Sequence, residues 1–384
     1  MKKLLGQSSI KVKALPSQIE NRKVDHIKIC LERNVQARRA TTGFEDVFFV
    51  HKALPEIEKD RITLSTVAFG HKFSAPLIAG AMTGGTLKAM KINSVIAEAV
   101  EEMSLGMGVG SQRVAIEDPK LEKTFSVVRK RAPTAFIVAN IGGPQLVKGY
   151  GAEEAKKAVD MIEADALAIH LNPLQEVVQP EGETNYTGVL NRISEITRAL
   201  DVPVIVKETG AGIASEEASM LKDAGVASID VAGVGGTSWA AVEYHRAKKT
   251  QDESRQRLGE AFWDWGIPTA VSVVEVVQSV DLTVIASGGV RTGVDVAKAI
   301  ALGADLSSLT SPILRPATRG AEEVKKALQL IIEELRNTMF LVGADSIPKL
   351  KETNLVLVGK TVEWLRMRGF HPEFYAKRKR GKPT

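Results

Sequence analysis

The chain has 384 residues, of which 44% are hydrophobic and 25% are charged, so it can bury one large core or two smaller ones. Much of its formal net charge of +5 comes from a basic tail, Lys377, Arg378, Lys379, Arg380 and Lys382, which leaves a nearly neutral body and argues against nucleic-acid binding. The single cysteine, Cys30, excludes an intramolecular disulfide and a thiolate metal cluster. Since the sequence also shows no signal peptide or membrane span, we expect a soluble, cytoplasmic protein without nucleic-acid or membrane partners.

Residues 1–74 form a predicted N-terminal extension, whose turn-rich part between 43 and 70 is expected to cap one end of the domain that follows. Within it, Arg22, Lys23 and His26 make a compact basic cluster. Such a cluster suits a diphosphate group. Taken alone, it is more typical of a solvated surface patch.

From residue 75 to residue 335, short apolar runs alternate with longer amphipathic stretches, as in a chain of β–α units. The runs predict eight strands, at 76–82, 105–110, 135–141, 166–171, 203–208, 228–231, 283–287 and 306–310. Eight parallel strands close a barrel. A doubly wound open sheet has the same rhythm, but it carries a Gly-x-Gly-x-x-Gly turn after its first strand, where this chain has Met82-Thr83-Gly84-Gly85.

We therefore predict an α/β fold, a (β/α)8 TIM barrel over residues 75–345, followed by a helical segment and basic tail at 346–384. The charged and aromatic stretch 237–266 interrupts the rhythm between the sixth and seventh strands. We interpret it as a long loop insertion over the open end of the barrel.

The predicted strands end in polar residues, and barrel enzymes place their active sites at these ends. The glycine-rich stretch 287–291 before a predicted helix suits a phosphate, although such turns are also common as simple loop turns. Lys207 either points into the barrel toward an anion or pairs with Glu208 at the surface. The densest group is the run 170–176, in which a histidine, two amides and a carboxylate converge and the carboxylate could hold Mg²⁺ with a phosphate.

With these residues in hand, the chain resembles the type 2 isopentenyl-diphosphate delta-isomerases from about residue 21 to residue 344. The motifs that carry the resemblance are RKVDHI (22–27), GFEDVFFVHKALPEI (43–57), APLIAGAMTGGT (75–86), GMGVGSQR (106–113), ANIGGPQ (139–145), HLNPLQE (170–176), PVIVKETG (203–210), VAGVGGTSW (231–239) and SGGVRTGVD (287–295). A generic flavin barrel shares the last few of these. The pair RKVDHI and HLNPLQE is the specific part.

The resemblance implies an FMN-dependent enzyme with a small-molecule diphosphate substrate. The implied FMN contacts are Met82, Thr83, Gly84, Ser111, Asn140, Lys207, Thr237, Gly289, Val290, Arg291, Thr310 and Ser311. The implied substrate residues are Arg22, Lys23, Ser111, Arg113, Asn172 and Gln175, with His170 and Gln175 in catalytic roles and Glu176 on Mg²⁺. The segment 308–312 departs from the family pattern, which leaves the phosphate contacts of Thr310 and Ser311 open.

The implied reaction is a 1,3-allylic proton shift that interconverts isopentenyl and dimethylallyl diphosphate, with reduced FMN as the acid and base, NADPH as its reductant, and a homotetramer or homo-octamer as the assembly. One rival is an FMN-dependent oxidoreductase of small hydroxy acids, which is disfavoured because the run 287–291 lacks that group's histidine. Barrel dehydrogenases that use a cysteine are disfavoured because Cys30 lies outside every strand end. A second rival is a non-catalytic sensor that binds flavin or phosphate.

Overall fold

The structure, a computed structural model, describes residues 18–378, and its centre is a closed barrel of eight parallel strands. Two short antiparallel pairs lie outside the barrel: β1 (Val47–Phe49) pairs with β12 (Leu355–Leu357), and β2 (Thr66–Ala68) pairs with β3 (His71–Phe73). The barrel strands follow one another in chain order around the ring: β4 (Leu77–Ala79), β5 (Gly106–Gly108), β6 (Phe136–Gly142), β7 (Ala166–His170), β8 (Val204–Lys207), β9 (Ser228–Asp230), β10 (Thr283–Ala286) and β11 (Leu306–Leu309). The predicted barrel and its eight strands are confirmed.

Helices surround the barrel and cover its open end. They are α1 (Gln18–Glu32), α2 (Leu87–Glu102), α3 (Arg113–Glu117), α4 (Lys123–Arg131), α5 (Gly143–Leu146), α6 (Ala152–Ile162), α7 (Pro173–Val178), α8 (Val189–Ala199), α9 (Ser215–Asp223), α10 (Trp239–Lys249), α11 (Glu253–Ala261), α12 (Thr269–Ser279), α13 (Gly293–Leu302), α14 (Ser311–Ala317), α15 (Ala321–Leu341), α16 (Ile347–Lys351) and α17 (Gly359–Met367). Single 3-10 turns lie at Phe44–Asp46, Lys59–Arg61, Pro119–Leu121 and Pro372–Lys377. Among the described residues, no helix combines the length and the apolar composition that crossing a bilayer requires.

The sequence dictates these elements through its apolar spacing. Strand β6 reads FIVANIG and is buried at every position, as expected for a parallel strand covered on both faces. Helix α6 buries residues three and four positions apart, namely Ala155, Ala158, Val159 and Ile162. It ends where Glu163 adopts a left-handed conformation with φ of 47°.

The segment before the barrel packs against both ends of the barrel. The β2–β3 hairpin closes the end where the strands begin, because Phe69 stacks on Phe136 with ring centroids 5.2 Å apart and Phe73 packs beside them. Helix α1 lies at the opposite end, where Arg22, Lys23 and His26 face a cavity. The extension therefore contributes a hairpin to one end of the barrel and a helix to the other.

The insertion between the sixth and seventh strands is present, and it is helical rather than a loop. Helices α10 and α11 pack on each other across it, and Trp263 beyond them is buried against Val35 and Ala241. The indole of Trp263 donates to the backbone oxygen of Gln36 at 2.8 Å, which joins the insertion to the chain after α1.

The C-terminal segment packs onto the barrel. Besides the β1–β12 pair, Tyr375 is buried and its hydroxyl donates to the oxygen of Leu302 at 3.0 Å. The predicted solvated tail begins later than its first basic residues, since Arg378 donates to the oxygen of Ala301 at 2.8 Å and lies over the Tyr375 ring. Residues Lys379, Arg380 and Lys382 lie outside the described part of the chain.

Candidate active site

A cavity of about 300 Å³ opens where the barrel strands end, between those ends and helix α1. It is a size that suits a small ligand or cofactor. Its lining brings together the polar strand ends of all eight strands with the basic cluster of the N-terminal extension.

At the base of the cavity, neighbouring strands present His170, Lys207 and Asn140. His170 and Lys207 are register partners on β7 and β8. Asn140 donates from Nδ2 to the oxygen of Val109 at 3.0 Å, so its Oδ1 is an acceptor for His170 Nδ1, 2.8 Å away. That bond places the histidine proton on Nδ1 and leaves Nε2 as an acceptor.

His170 is neutral across the physiological range. Its burial, with the nearby positive charges of Lys207 and Arg113, lowers its pKa to about 3. A neutral imidazole orients a ligand or accepts a proton from it, and at neutral pH it is not an acid.

Lys207 points into the barrel rather than pairing with the Glu208 carboxylate. Its ammonium group donates to the main-chain oxygen of Glu208. The Glu208 side chain instead accepts the backbone N–H groups of residues 209, 210 and 211, and burial raises its pKa to about 7.

Two glycine turns form the far side of the cavity and pack backbone against backbone. A Cβ on Gly288 would lie 2.1 Å from the oxygen of Gly233, and one on Gly236 would lie 2.4 Å from the nitrogen of Gly289. Gly288 and Gly289 also have φ values of 94° and 75°, which favour glycine. Helix α13 begins just beyond, so its positive end points to the same region.

Three cations gather at the other side of the cavity: Arg22 and Lys23 from α1, and Arg113 from the start of α3. Lys23 donates to the oxygen of Ser111 at 2.9 Å and lies 5.4 Å from the ring centroid of Phe125. Burial, then Arg22 and Arg113, lowers the pKa of Lys23 to about 7, and burial lowers the pKa of Arg22. Such a cluster is suited to a multiply charged anion.

The Glu176 carboxylate is buried beside these cations and held by neutral donors. Asn172 Nδ2 donates to its Oε1 at 2.8 Å, while Gln179 Nε2 and the backbone N–H of Glu183 donate to its Oε2 at 2.5 and 2.7 Å. Asn172 Nδ2 also lies 3.1 Å from Gln175 Oε1, which leaves the Gln175 amide nitrogen for a ligand.

Comparison with known proteins identifies the family. A family model described as FMN-dependent dehydrogenase matches residues 16–120 and 155–357. The isopentenyl-diphosphate delta-isomerase of Methanosarcina barkeri is 48% identical over 360 residues, which cover 94% of this chain and 98% of that protein. The enzyme of the same name from Thermococcus onnurineus is 51% identical over 355 residues, covering 90% and 94%. The chain belongs to the isopentenyl-diphosphate delta-isomerase family.

The family model places this member with the FMN-dependent type of isopentenyl-diphosphate delta-isomerase. Solved flavin-enzyme structures share its fold: a lactate oxidase from Pediococcus acidilactici has a TM-score of 0.62 at 20% identity and covers 92% of this chain and 98% of its own. A mandelate oxidase has a TM-score of 0.57 at 19% identity, with 88% and 97% covered. At these identities the likeness shows the barrel architecture.

In this isopentenyl-diphosphate delta-isomerase family member, one cavity collects nearly all the residues that the sequence predicted. It is lined by Arg22, Lys23, Met82, Thr83, Ser111, Arg113, Asn140, His170, Asn172, Gln175, Glu176, Lys207, Thr237, Gly289, Val290, Arg291, Thr310 and Ser311. Gly84 does not line this cavity, and its contact with FMN stays a prediction. It packs behind the site on Phe125, whose ring carbon would lie 1.9 Å from an added Cβ.

Sequence analysis missed Trp239 and Glu243, which share one face of α10. Trp239 lines the cavity, and the buried Glu243 lies 3.0 Å from His26 Nε2 and 2.6 Å from Arg246. Burial lowers the pKa of His26 despite the bond to Glu243. The spacing of four residues is a helical signal, and it was hidden because the insertion was interpreted as a loop.

Proposed function

We propose that the chain interconverts isopentenyl diphosphate and dimethylallyl diphosphate by a 1,3-allylic proton shift, as the names of its relatives indicate. One observation carries the proposal beyond the names: a single cavity has His170, Lys207 and Asn140 on one side and the cations Arg22 and Lys23 on the other. The first side suits a flavin ring, and the second suits a diphosphate. A substrate whose diphosphate lies on the second side can reach the flavin ring on the first side with its hydrocarbon end.

The residues fit FMN. The glycines at 236, 288 and 289 let two turns at the cavity wall approach more closely than any Cβ would allow, which brings their backbone to one place, and Lys207 offers a positive charge to the electron-rich end of a flavin ring. When bound in its reduced state, FMN supplies the acid and base that exchange the allylic proton. We assign its contacts to the residues predicted from the sequence, of which all but Gly84 line the cavity.

The protein's own residues bind and orient the substrate. Arg22, Lys23 and Arg113 hold the diphosphate, and Asn172 fixes Gln175 so that its amide nitrogen faces the cavity. His170 positions the hydrocarbon end through its neutral ring. Helix α1 over the strand ends limits the entry of water, which protects an intermediate with carbocation character.

The residues also fit Mg²⁺ if the substrate supplies part of the coordination. Glu176 is buried at the cavity edge, and its three hydrogen bonds come from uncharged groups. In the described residues, no group of three or more His, Cys, Asp or Glu side chains is arranged to hold a metal. We therefore assign Mg²⁺ to Glu176 together with diphosphate oxygens and water.

The oxidoreductase alternative is weaker, because the turn after β10 reads Ser287-Gly288-Gly289-Val290-Arg291 and offers no proton-accepting histidine. A flavin-binding sensor without catalysis would need only the residues that contact the flavin. The cation cluster on the other side of the cavity has no role in such a protein, which disfavours this alternative. NADPH as the reductant, a homotetramer or homo-octamer, and a cytoplasmic location remain predictions from the family resemblance and the sequence.

An anaerobic assay tests the proposal. Purified protein is given isopentenyl diphosphate, Mg²⁺ and FMN, with and without chemical reduction of the flavin, and dimethylallyl diphosphate is followed. We expect product only with reduced flavin. Bound FMN without product in either state would contradict the isomerase assignment and favour the alternatives.

A further inference from the structure

Asp230, the last residue of β9, lies inside the barrel next to the candidate flavin site and is 5% exposed. It is the register partner of Lys207 on β8, and both side chains line a small second cavity below the main one. This carboxylate belongs to none of the sequence motifs and takes no part in the proposed reaction. A buried carboxylate is costly unless partners compensate for it.

The partners of Asp230 come from two further parts of the candidate flavin site. Ser287, at the glycine turn after β10, donates its hydroxyl hydrogen to Asp230 Oδ1. The backbone N–H of Ala232 lies near the carboxylate and lowers its pKa. Ala232 has a φ of 37°, in the left-handed region that a residue with a Cβ rarely adopts, so the turn beside Asp230 is strained.

Each of these three neighbours, Lys207, Ala232 and Ser287, lines the main cavity. The Asp230 carboxylate therefore lies between the lysine at the end of β8, the turn after β9 and the turn after β10, and it is hydrogen-bonded to the last of these. The pKa of Asp230 is raised by burial, and Lys207, Ser287 and the Ala232 N–H offset only part of that rise. The second cavity, of about 30 Å³, has room for a water molecule between Asp230, Lys207, Asn140 and Ser308.

We propose that Asp230 is a positioning residue for the flavin. Its carboxylate balances the positive charge of Lys207 and stabilises the two turns that contact the cofactor. The inference rests on the proposed FMN site and is independent of the isomerase reaction. Lys207 alone would favour the reduced flavin, which carries the extra negative charge. The neighbouring carboxylate offsets part of that field and so holds the bound flavin at a lower reduction potential.

The test measures the midpoint potential and the dissociation constant of FMN bound to Asp230→Asn, without any turnover. Removing the negative charge should favour reduced over oxidised FMN on the order of tenfold, which moves the potential to a less negative value by about 30 mV for two electrons. Asp230→Ser removes the same charge and keeps an acceptor for the Ala232 N–H, so it should move the potential in the same direction. It also provides the measurement if Asp230→Asn does not fold.

Two control variants separate charge from structure. Ser287→Ala removes the hydroxyl bond and keeps the charge, so it should weaken both redox states of FMN equally and leave the potential unchanged. Glu275→Gln alters a fully buried carboxylate on α12, which contacts Trp364 on α17 and Arg368 just after it, and it should change neither the potential nor the dissociation constant.

An unchanged potential in a folded, FMN-binding Asp230→Asn protein would show that the Asp230 carboxyl group is neutral in the unmodified protein, and it would overturn the inference. Failure of the unmodified protein to bind FMN would overturn both this inference and the proposed function. If the unmodified protein binds FMN but forms no dimethylallyl diphosphate, the proposed function fails alone, because the potential of the variants still decides the role of Asp230.

Discussion

Burial decides which individual side chains of the site titrate near neutral pH. Lys23 is enclosed beside two arginines, and its pKa falls to about 7, whereas the pKa of His170 falls to about 3. Lys23 therefore changes its charge in the usual assay range, as does the buried Glu208, whose pKa is also about 7, whereas His170 does not. Cys30 also lines the cavity, but burial raises its pKa to about 12, so it stays a neutral thiol.

The Lys23 charge should be visible in the pH dependence of catalysis. A lowered lysine pKa means that the ammonium form is lost as pH rises through about 7, and with it part of the grip on the diphosphate. We expect kcat/KM to fall above pH 7 in the unmodified protein and to fall less in Lys23→Arg, because any effect of Glu208, whose pKa is also about 7, is common to both proteins. If kcat/KM depends on pH in the same way in the two proteins, Lys23 keeps its charge over this range.

Removing the His170 ring should weaken substrate binding. His170→Ala deletes the group held by Asn140 at the end of β7, and we expect KM for isopentenyl diphosphate to rise about tenfold, the cost of one or two lost hydrogen bonds. Thr187→Ala, on the exposed loop before α8, is the matched control. If KM and kcat are both unchanged in His170→Ala, the assigned role is wrong.

At the scale of elements, the sequence predicted the strands because parallel strands buried on both faces are continuous apolar runs between turns. It did not predict α10 and α11, whose charged and aromatic residues obscure the helical period. Pairing of β1 with β12 was also beyond reach, since it joins opposite ends of the chain. Asp230 was missed because its role depends on contacts with two other strands, which spacing along the chain does not reveal.

The segment between α7 and α8 has its own testable effect on ligand binding. Glu183 pairs with Arg113 at 3.4 Å and with Lys148 at 2.7 Å, so a diphosphate must compete with this carboxylate for Arg113. Glu183→Gln should bind inorganic diphosphate more tightly by roughly fivefold, as measured by calorimetry.

The control for Glu183 is Glu195→Gln, an exposed carboxylate on α8 that pairs with Arg192. It should leave the dissociation constant unchanged. Weaker binding of diphosphate in Glu183→Gln would contradict competition and indicate that Glu183 supports the site.

At the scale of the whole molecule, residues beyond the barrel complete its packing. The motifs predicted the barrel, while the C-terminal segment offered only a helical pattern, and its contacts with Leu302 and with β1 follow from tertiary structure. Interior packing of this kind contributes to stability through area that is buried only when both segments are present.

Tyr375 tests this contribution. It is 1% exposed, so Tyr375→Ala should lower the free energy of unfolding by about 3 kcal/mol, measured by chemical denaturation. The adjacent Phe374 is 56% exposed, and Phe374→Ala should change it by less than about 1 kcal/mol. Similar losses in the two variants would show that the segment is not docked as described.

The hairpin that closes one end of the barrel sets the kinetic order of loading. Because Phe69 and Phe136 stack there, ligands reach the described site from the end covered by α1. Lys207 lies on a strand, while Lys23 approaches from that covering helix. A ligand that contacts Lys207 therefore has to pass Lys23 before a diphosphate occupies the cationic side chains there. Association should therefore be compulsory-ordered, with FMN binding before the diphosphate substrate. FMN should be unable to dissociate while the diphosphate is also bound.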